Sequence, residues 1–153
     1  DRDRTLAIMK DPRSGPMAVV IIVLVLLTKF AALQVLLAGD ARTVLLLAPM
    51  LGRSVIVLLL ATTPYVRPEG LGAAYADYLP RLSCATLVLL VALATVGLLD
   101  WQGGVLLGVL AGGFFGMRHW LLNRLGGTTG DTLGAACELA ETVALLVPAL
   151  LVE

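Results

Sequence analysis

Residues 17–38 read MAVVIIVLVLLTKFAALQVLLA, an apolar run interrupted by one charge, Lys29. A bilayer core about 30 Å thick needs roughly 20 residues of helix, so this run is long enough to cross it. Outward from it, four more stretches approach the same pattern, at 43–61, 83–99, 103–117 and 133–152. The predicted fold is all-α: a polytopic transmembrane helix bundle of about five spans, one integral-membrane domain over residues 1–153. Composition agrees, with 59% hydrophobic and 14% charged residues and a mean hydropathy of +0.95. A soluble domain carries about a quarter charged residues, so the main partner is the lipid bilayer. The chain is formally neutral with 11 Lys+Arg, which leaves no broad basic surface and argues against nucleic acid as a partner. Cys84 and Cys137 lie apart inside apolar runs, so buried thiols are expected rather than a disulfide framework.

Counting basic residues between the spans orients the bundle. Arg2, Arg4, Lys10 and Arg13, then Arg67 and Arg81, then Arg118 and Arg124 fall on one side, against Arg42 alone on the other. The N-terminus is therefore expected in the cytoplasm. The long polar stretches 1–16, 62–82 and 118–132 emerge together on that face, whereas 39–42 and 100–102 read as tight turns. Any chemistry is expected to face the cytosol. The opening DRDRTLAIMKDPRSG has neither an initiator Met nor a signal-peptide layout, and an N-terminal truncation is expected. The fourth span is short and rich in glycine, which predicts close packing inside the bundle. Gly108 and Gly112 form a GxxxG pair, a weak pointer to a homo-oligomer.

Charges at membrane depth are the next signal. Lys29 and Arg53 each cost on the order of 3 kcal/mol in mid-span, so they pair internally or meet an anionic ligand. Glu138 and Glu141 lie in the fifth span, and at 100° per residue Asp131, Glu138 and Glu141 fall within an arc of about 80°. Three carboxylates on one face suit Mg²⁺; salt bridges to Lys29 and Arg53 are the competing reading. Before them stands RLGGTTGD at 124–131, where Gly126, Gly127 and Gly130 would let amides approach a phosphate at a helix start. A plain turn capped by Thr129 or Asp131 would look similar. No Lys follows the glycines, so a Walker A loop is excluded. The loop PYVRPEGLGAAYADYLPR at 64–81 serves either as an interfacial aromatic belt or as a substrate lid using Arg67 and Arg81. His119 beside Trp120 is read as an interface residue, with a general base as the alternative.

In order along the chain, RTLAIMKDPRSG at 4–15, KFAAL at 29–33, GRS at 52–54, PYVRPEGLG at 64–72 and NRLGGTTGDTLGAACELAE at 123–141 resemble successive blocks of the cobalamin synthase family. This is the adenosylcobinamide-GDP ribazoletransferase family. The resemblance implies a multi-pass transferase of the bacterial inner membrane, acting in cobalamin biosynthesis with Mg²⁺ as cofactor. It would join adenosylcobinamide-GDP to α-ribazole or α-ribazole 5′-phosphate and release GMP. Members also carry an acidic Asp-Gly-x-Ala-Asp block upstream of the part matched by residues 1–15. That block is absent here, so the fragment alone is expected to hold part of the catalytic site.

With the residues and the resemblance taken together, Asp131, Glu138 and Glu141 are the expected catalytic acids. Asp11, Asp131 and Glu138 are the expected metal ligands. Arg13, Arg53, Arg67, Arg124, Gly126, Gly127, Thr128 and Gly130 are expected to bind substrate. The sharpest expectation is that Asp131 and both glutamates meet at the inner rim of the membrane. A small transporter or channel and a non-catalytic membrane subunit are the alternatives; clustering of the polar stretches on one face speaks against transport.

Overall fold

The computed structural model describes residues 2–9, 15–39, 41–67 and 72–151, so Asp11 and Arg13 lie outside the described residues. The helices are α1 (Arg2–Ile8), α2 (Pro16–Ala38), α3 (Thr43–Thr62), α4 (Gly72–Asp77), α5 (Arg81–Leu125) and α6 (Gly130–Leu151). Four of them, α2, α3, α5 and α6, are long and apolar enough to cross a membrane. Pro16 sits at the start of α2, where its missing N–H leaves no helix bond unmade.

The stretches at 83–99 and 103–117 are two limbs of α5, which is interrupted at Asp100 (φ 50°, ψ −132°). In a straight helix Thr95 and Gly103 would stand about 12 Å apart along the axis. Here a Cβ at Gly103 would lie 2.9 Å from the Thr95 carbonyl carbon, so the chain folds back sharply and the limbs run side by side. Only glycine admits that approach. Asp100 has a backbone conformation disfavoured for a residue with a side chain, a local strain of roughly 1–3 kcal/mol.

Two expectations change. The glycine-rich limb is not enclosed among the described residues: Gly104, Gly108, Gly112 and Gly116 face outward, and a Cβ added at any of them would meet nothing within 4 Å. The larger side chains opposite, such as Leu106, occupy the core instead. The polar stretch 118–132 is also mostly helical, because α5 continues to Leu125. Leu121 and Leu125 are fully buried, and that burial extends the helix beyond the apolar run.

α6 lies at the centre, against α2, α3 and α5. It approaches α3 closely at Gly52, where a Cβ would stand 2.7 Å from Glu141 Cγ. The core has two apolar clusters, one including Leu36, Leu47, Leu51, Val91, Leu106 and Leu145. The second, including Leu59, Leu121, Leu125, Leu133 and Ala136, lies nearer the ends of α3 and α5 and the start of α6. The expected grouping of stretches 62–82 and 118–132 is seen among the described residues. Segment 64–66 pairs with Thr128 at one end, while Gln102 Nε2 donates to the Leu151 carbonyl at the other, 3.1 Å.

Candidate active site

The polar end is built around the turn 126–129. Gly126 closes α5 in the left-handed conformation (φ 74°), and its N–H donates to the Leu122 carbonyl. The turn then lies against the extended segment after α3. The Thr128 N–H donates to the Pro64 carbonyl at 2.8 Å, and the Val66 N–H donates to the Thr128 carbonyl at 2.9 Å. A Cβ at Gly127 would strike the Pro64 carbonyl and lie 2.6 Å from Val66 Cγ1. Gly126 and Gly127 therefore have structural jobs that need no ligand.

Thr129 and Thr132 start α6 reciprocally. The Thr129 N–H donates to Thr132 Oγ1 at 2.8 Å, and the Thr132 N–H donates to Thr129 Oγ1 at 3.3 Å. This is a capping box with threonine in the position usually held by Glu or Gln. The Thr128 and Thr132 hydroxyls are 2.9 Å apart, and Thr128 is fully buried. Its hydroxyl is thus committed inward. Thr132 was not singled out in the sequence, although its position three residues after Thr129 carried the signal.

Arg67 and Asp131 meet over this helix start, with Arg67 Nη1 donating to Asp131 Oδ2 at 2.7 Å. Arg67 Nε and Nη2 are buried and have no hydrogen-bond partner among the described residues. The Asp131 side chain is 56% exposed. One arginine thus has two donors in hand beside a half-exposed carboxylate and the positive end of a helix. Gly130 is exposed at that end, and Arg124 is exposed in the last turn of α5. Arg118, named in the sequence only in the charge count, donates from Nε and Nη2 to the Thr62 carbonyl at 3.3 and 2.8 Å, tying α5 to the end of α3. His119 is exposed and lies against Asn123, 2.8 Å away.

The other charges form a separate group within the membrane-length helices. Lys29 Nζ lies 2.7 Å from Glu138 Oε1 and 3.0 Å from Glu141 Oε2, and Arg53 pairs with Glu141 Oε1. The Cys137 thiol donates weakly to the same carboxylate, at 3.7 Å. The reading in which Glu138 and Glu141 pair with Lys29 and Arg53 is the one observed. The expected meeting of all three acids is not. They do share a face of α6, but Glu138 is about 10 Å further along the axis than Asp131 at ~1.5 Å per residue. Asp131 is drawn to Arg67, while Glu138 and Glu141 share Lys29 and Glu141 also takes Arg53.

Among the described residues there is no group of three His, Cys, Asp or Glu side chains able to hold a metal. A Mg²⁺ shell of Asp131 together with Glu138 does not assemble, because ligands must converge at about 2.1 Å. Asp131 alone fits the more common arrangement, in which one or two carboxylates hold the ion and substrate phosphates complete its shell.

The fold and this end of it define an α-helical membrane protein with an anion-receptive rim at the start of its central helix. Comparison places the chain within that class. The profile of the family described as Cobalamin-5-phosphate synthase matches residues 1–149, and the chain belongs to that family. It is 54% identical over 151 residues to an adenosylcobinamide-GDP ribazoletransferase of Pseudomonas syringae pv. syringae, covering 99% of this chain and 62% of that protein. It is 55% identical over 150 residues to one of Ectopseudomonas mendocina, covering 98% and 61%. A third, of Pseudomonas fluorescens, is 52% identical over 147 residues, covering 96% and 60%. The chain thus spans about three fifths of the length of these relatives. No solved structure matches it.

Proposed function

We propose that this chain forms part of an enzyme of cobalamin biosynthesis. The enzyme transfers the adenosylcobinamide-phosphate group from adenosylcobinamide-GDP to α-ribazole or its 5′-phosphate and releases GMP. The observation that carries the reading is the Arg67–Asp131 pair over the threonine-capped start of α6, with two arginine donors unpartnered. A diphosphate offers the oxygens those donors lack. Charge-assisted bonds from Arg67 and the partial positive charge of α6 hold the phosphorus next to the cobinamide, while Arg124 adds charge at the rim.

A ribose hydroxyl of the acceptor attacks that phosphorus, the bond to the GMP oxygen breaks, and the hydroxyl proton passes to a carboxylate. Among the described residues Asp131 is the carboxylate paired with Arg67, and it is assigned that contact. Mg²⁺, held by Asp131 with Asp11 as a further ligand, would supply charge neutralisation of the phosphate oxygens. Positioning and charge stabilisation account for most of the rate in phosphoryl transfer generally. Glu138, Glu141 and Arg53 act from deeper, holding α2 and α3 on α6 and so fixing the helix that carries Asp131.

The bias of basic residues toward this end supports five crossings with the rim in the cytosol of the bacterial inner membrane. The test is Asp131→Asn in a protein of the relatives' full length, in proteoliposomes. GMP release should fall by ~10²–10³-fold with unchanged membrane insertion, the scale of losing one stabilising polar group. Retained turnover would remove Asp131 from the reaction.

A further inference from the structure

Beside the rim lies a second cleft, of about 660 Å³, between the end of α3, segment 63–65, α4 and the start of α5. Its volume falls in the range of small-molecule sites, about 300–1,000 Å³. Leu60, Ala73 and Ala76 give it an apolar wall, and Tyr65 and Arg81 also line it. Thr63, 4% exposed, lies in the lining with its hydroxyl buried and without a hydrogen-bond partner among the described residues. A buried hydroxyl left unpaired costs on the order of 1–3 kcal/mol, so its presence asks for a polar group from outside the chain.

The cleft is coupled to the rim by one short piece of backbone. Tyr65 pairs with Thr128 in the turn before α6, and Arg67 follows two residues later. At about 3.3 Å per extended residue, the Tyr65 end of the cleft lies roughly 7 Å along the chain from Arg67. That is a reach suited to a ribose between a base in the cleft and a phosphate at the rim.

We infer that this cleft seats the acceptor nucleoside: its planar aromatic base against Leu60, Ala73 and Ala76, a polar atom on the Thr63 hydroxyl, and a 5′-phosphate on Arg81. The inference rests on the transfer reaction proposed above and adds the acceptor's place and a preference for its phosphorylated form. The donor diphosphate stays with Arg67, so donor and acceptor meet from opposite sides of segment 64–67.

The experiment measures acceptor and donor KM separately in the full-length protein, together with direct calorimetric binding of α-ribazole without donor. Ala76→Trp, which fills the cleft, should raise KM for both acceptor forms at least tenfold and leave that for adenosylcobinamide-GDP unchanged. Arg81→Gln should raise KM for α-ribazole 5′-phosphate about tenfold and leave α-ribazole unaffected. Thr63→Val, which keeps the side-chain volume, should weaken α-ribazole binding about fivefold, the scale of one lost hydrogen bond.

Should Ala76→Trp fail to fold, the Arg81 and Thr63 variants decide alone. Unchanged acceptor KM in variants of a protein that turns over overturns the cleft assignment while the reaction stands. If the protein binds α-ribazole, loses it in Ala76→Trp and yet releases no GMP, the cleft stands and the reaction falls. Equal weakening of donor and acceptor, or Arg81→Gln altering only adhesion to anionic-lipid vesicles, also overturns the assignment.

Discussion

The two charged regions of α6 use the same side-chain types and end differently. In the deep group, two cations and two carboxylates satisfy one another between the two apolar core clusters. At the rim, one carboxylate meets one arginine and leaves two of its donors unpartnered. A charge far from water must find its partner inside the protein, because an unpaired ion there is costly. A charge at the rim is free to keep bonding capacity for a ligand. Depth along the helix, rather than residue type, separates charges that satisfy one another from a charge that keeps bonding capacity.

The largest effect is expected from breaking the deep group. Glu141→Ala leaves Lys29 and Arg53 without their shared carboxylate and should cost about 3–5 kcal/mol of stability, read by unfolding in detergent. Adding Arg53→Met should recover part of the loss, since Glu141 is the one carboxylate Arg53 pairs with among the described residues, whereas Lys29 keeps Glu138. If Glu141→Ala unfolds like the parent protein, the deep group is not structural. Gly52→Val should come next, at about 1–3 kcal/mol, because the new side chain meets Glu141 and Cys137 across the α3–α6 contact. The smallest effect is expected at the rim, where Thr132→Val removes one half of the capping box and should lower stability by ~1 kcal/mol. Were it to equal Glu141→Ala, the contrast between the two regions would fail.

The membrane-type helices were legible in the sequence because long apolar runs have few alternatives, and α2 and α3 follow runs 17–38 and 43–61 closely. The reversal at Asp100 was legible from the break between two apolar stretches. The continuation of α5 through RHWLLNRL was not, since tertiary burial of Leu121 and Leu125 decided it. At the site, helical periodicity placed Asp131, Glu138 and Glu141 on one face, as observed, but angle says nothing of which cation waits at each height. The glycines of the turn were also ambiguous in sequence. A left-handed cap at Gly126 and backbone contact at Gly127 use the same residue that a phosphate loop would.

The most direct test of the account measures GMP release and the thermal unfolding midpoint together in Asp131→Asn and Glu141→Gln, each in the full-length protein. Asp131→Asn is expected to lower turnover ~10²–10³-fold at an unchanged midpoint. Glu141→Gln is expected to lower the midpoint and keep turnover below it. The reverse pattern, a stable but inactive Glu141→Gln beside an active Asp131→Asn, would contradict the account.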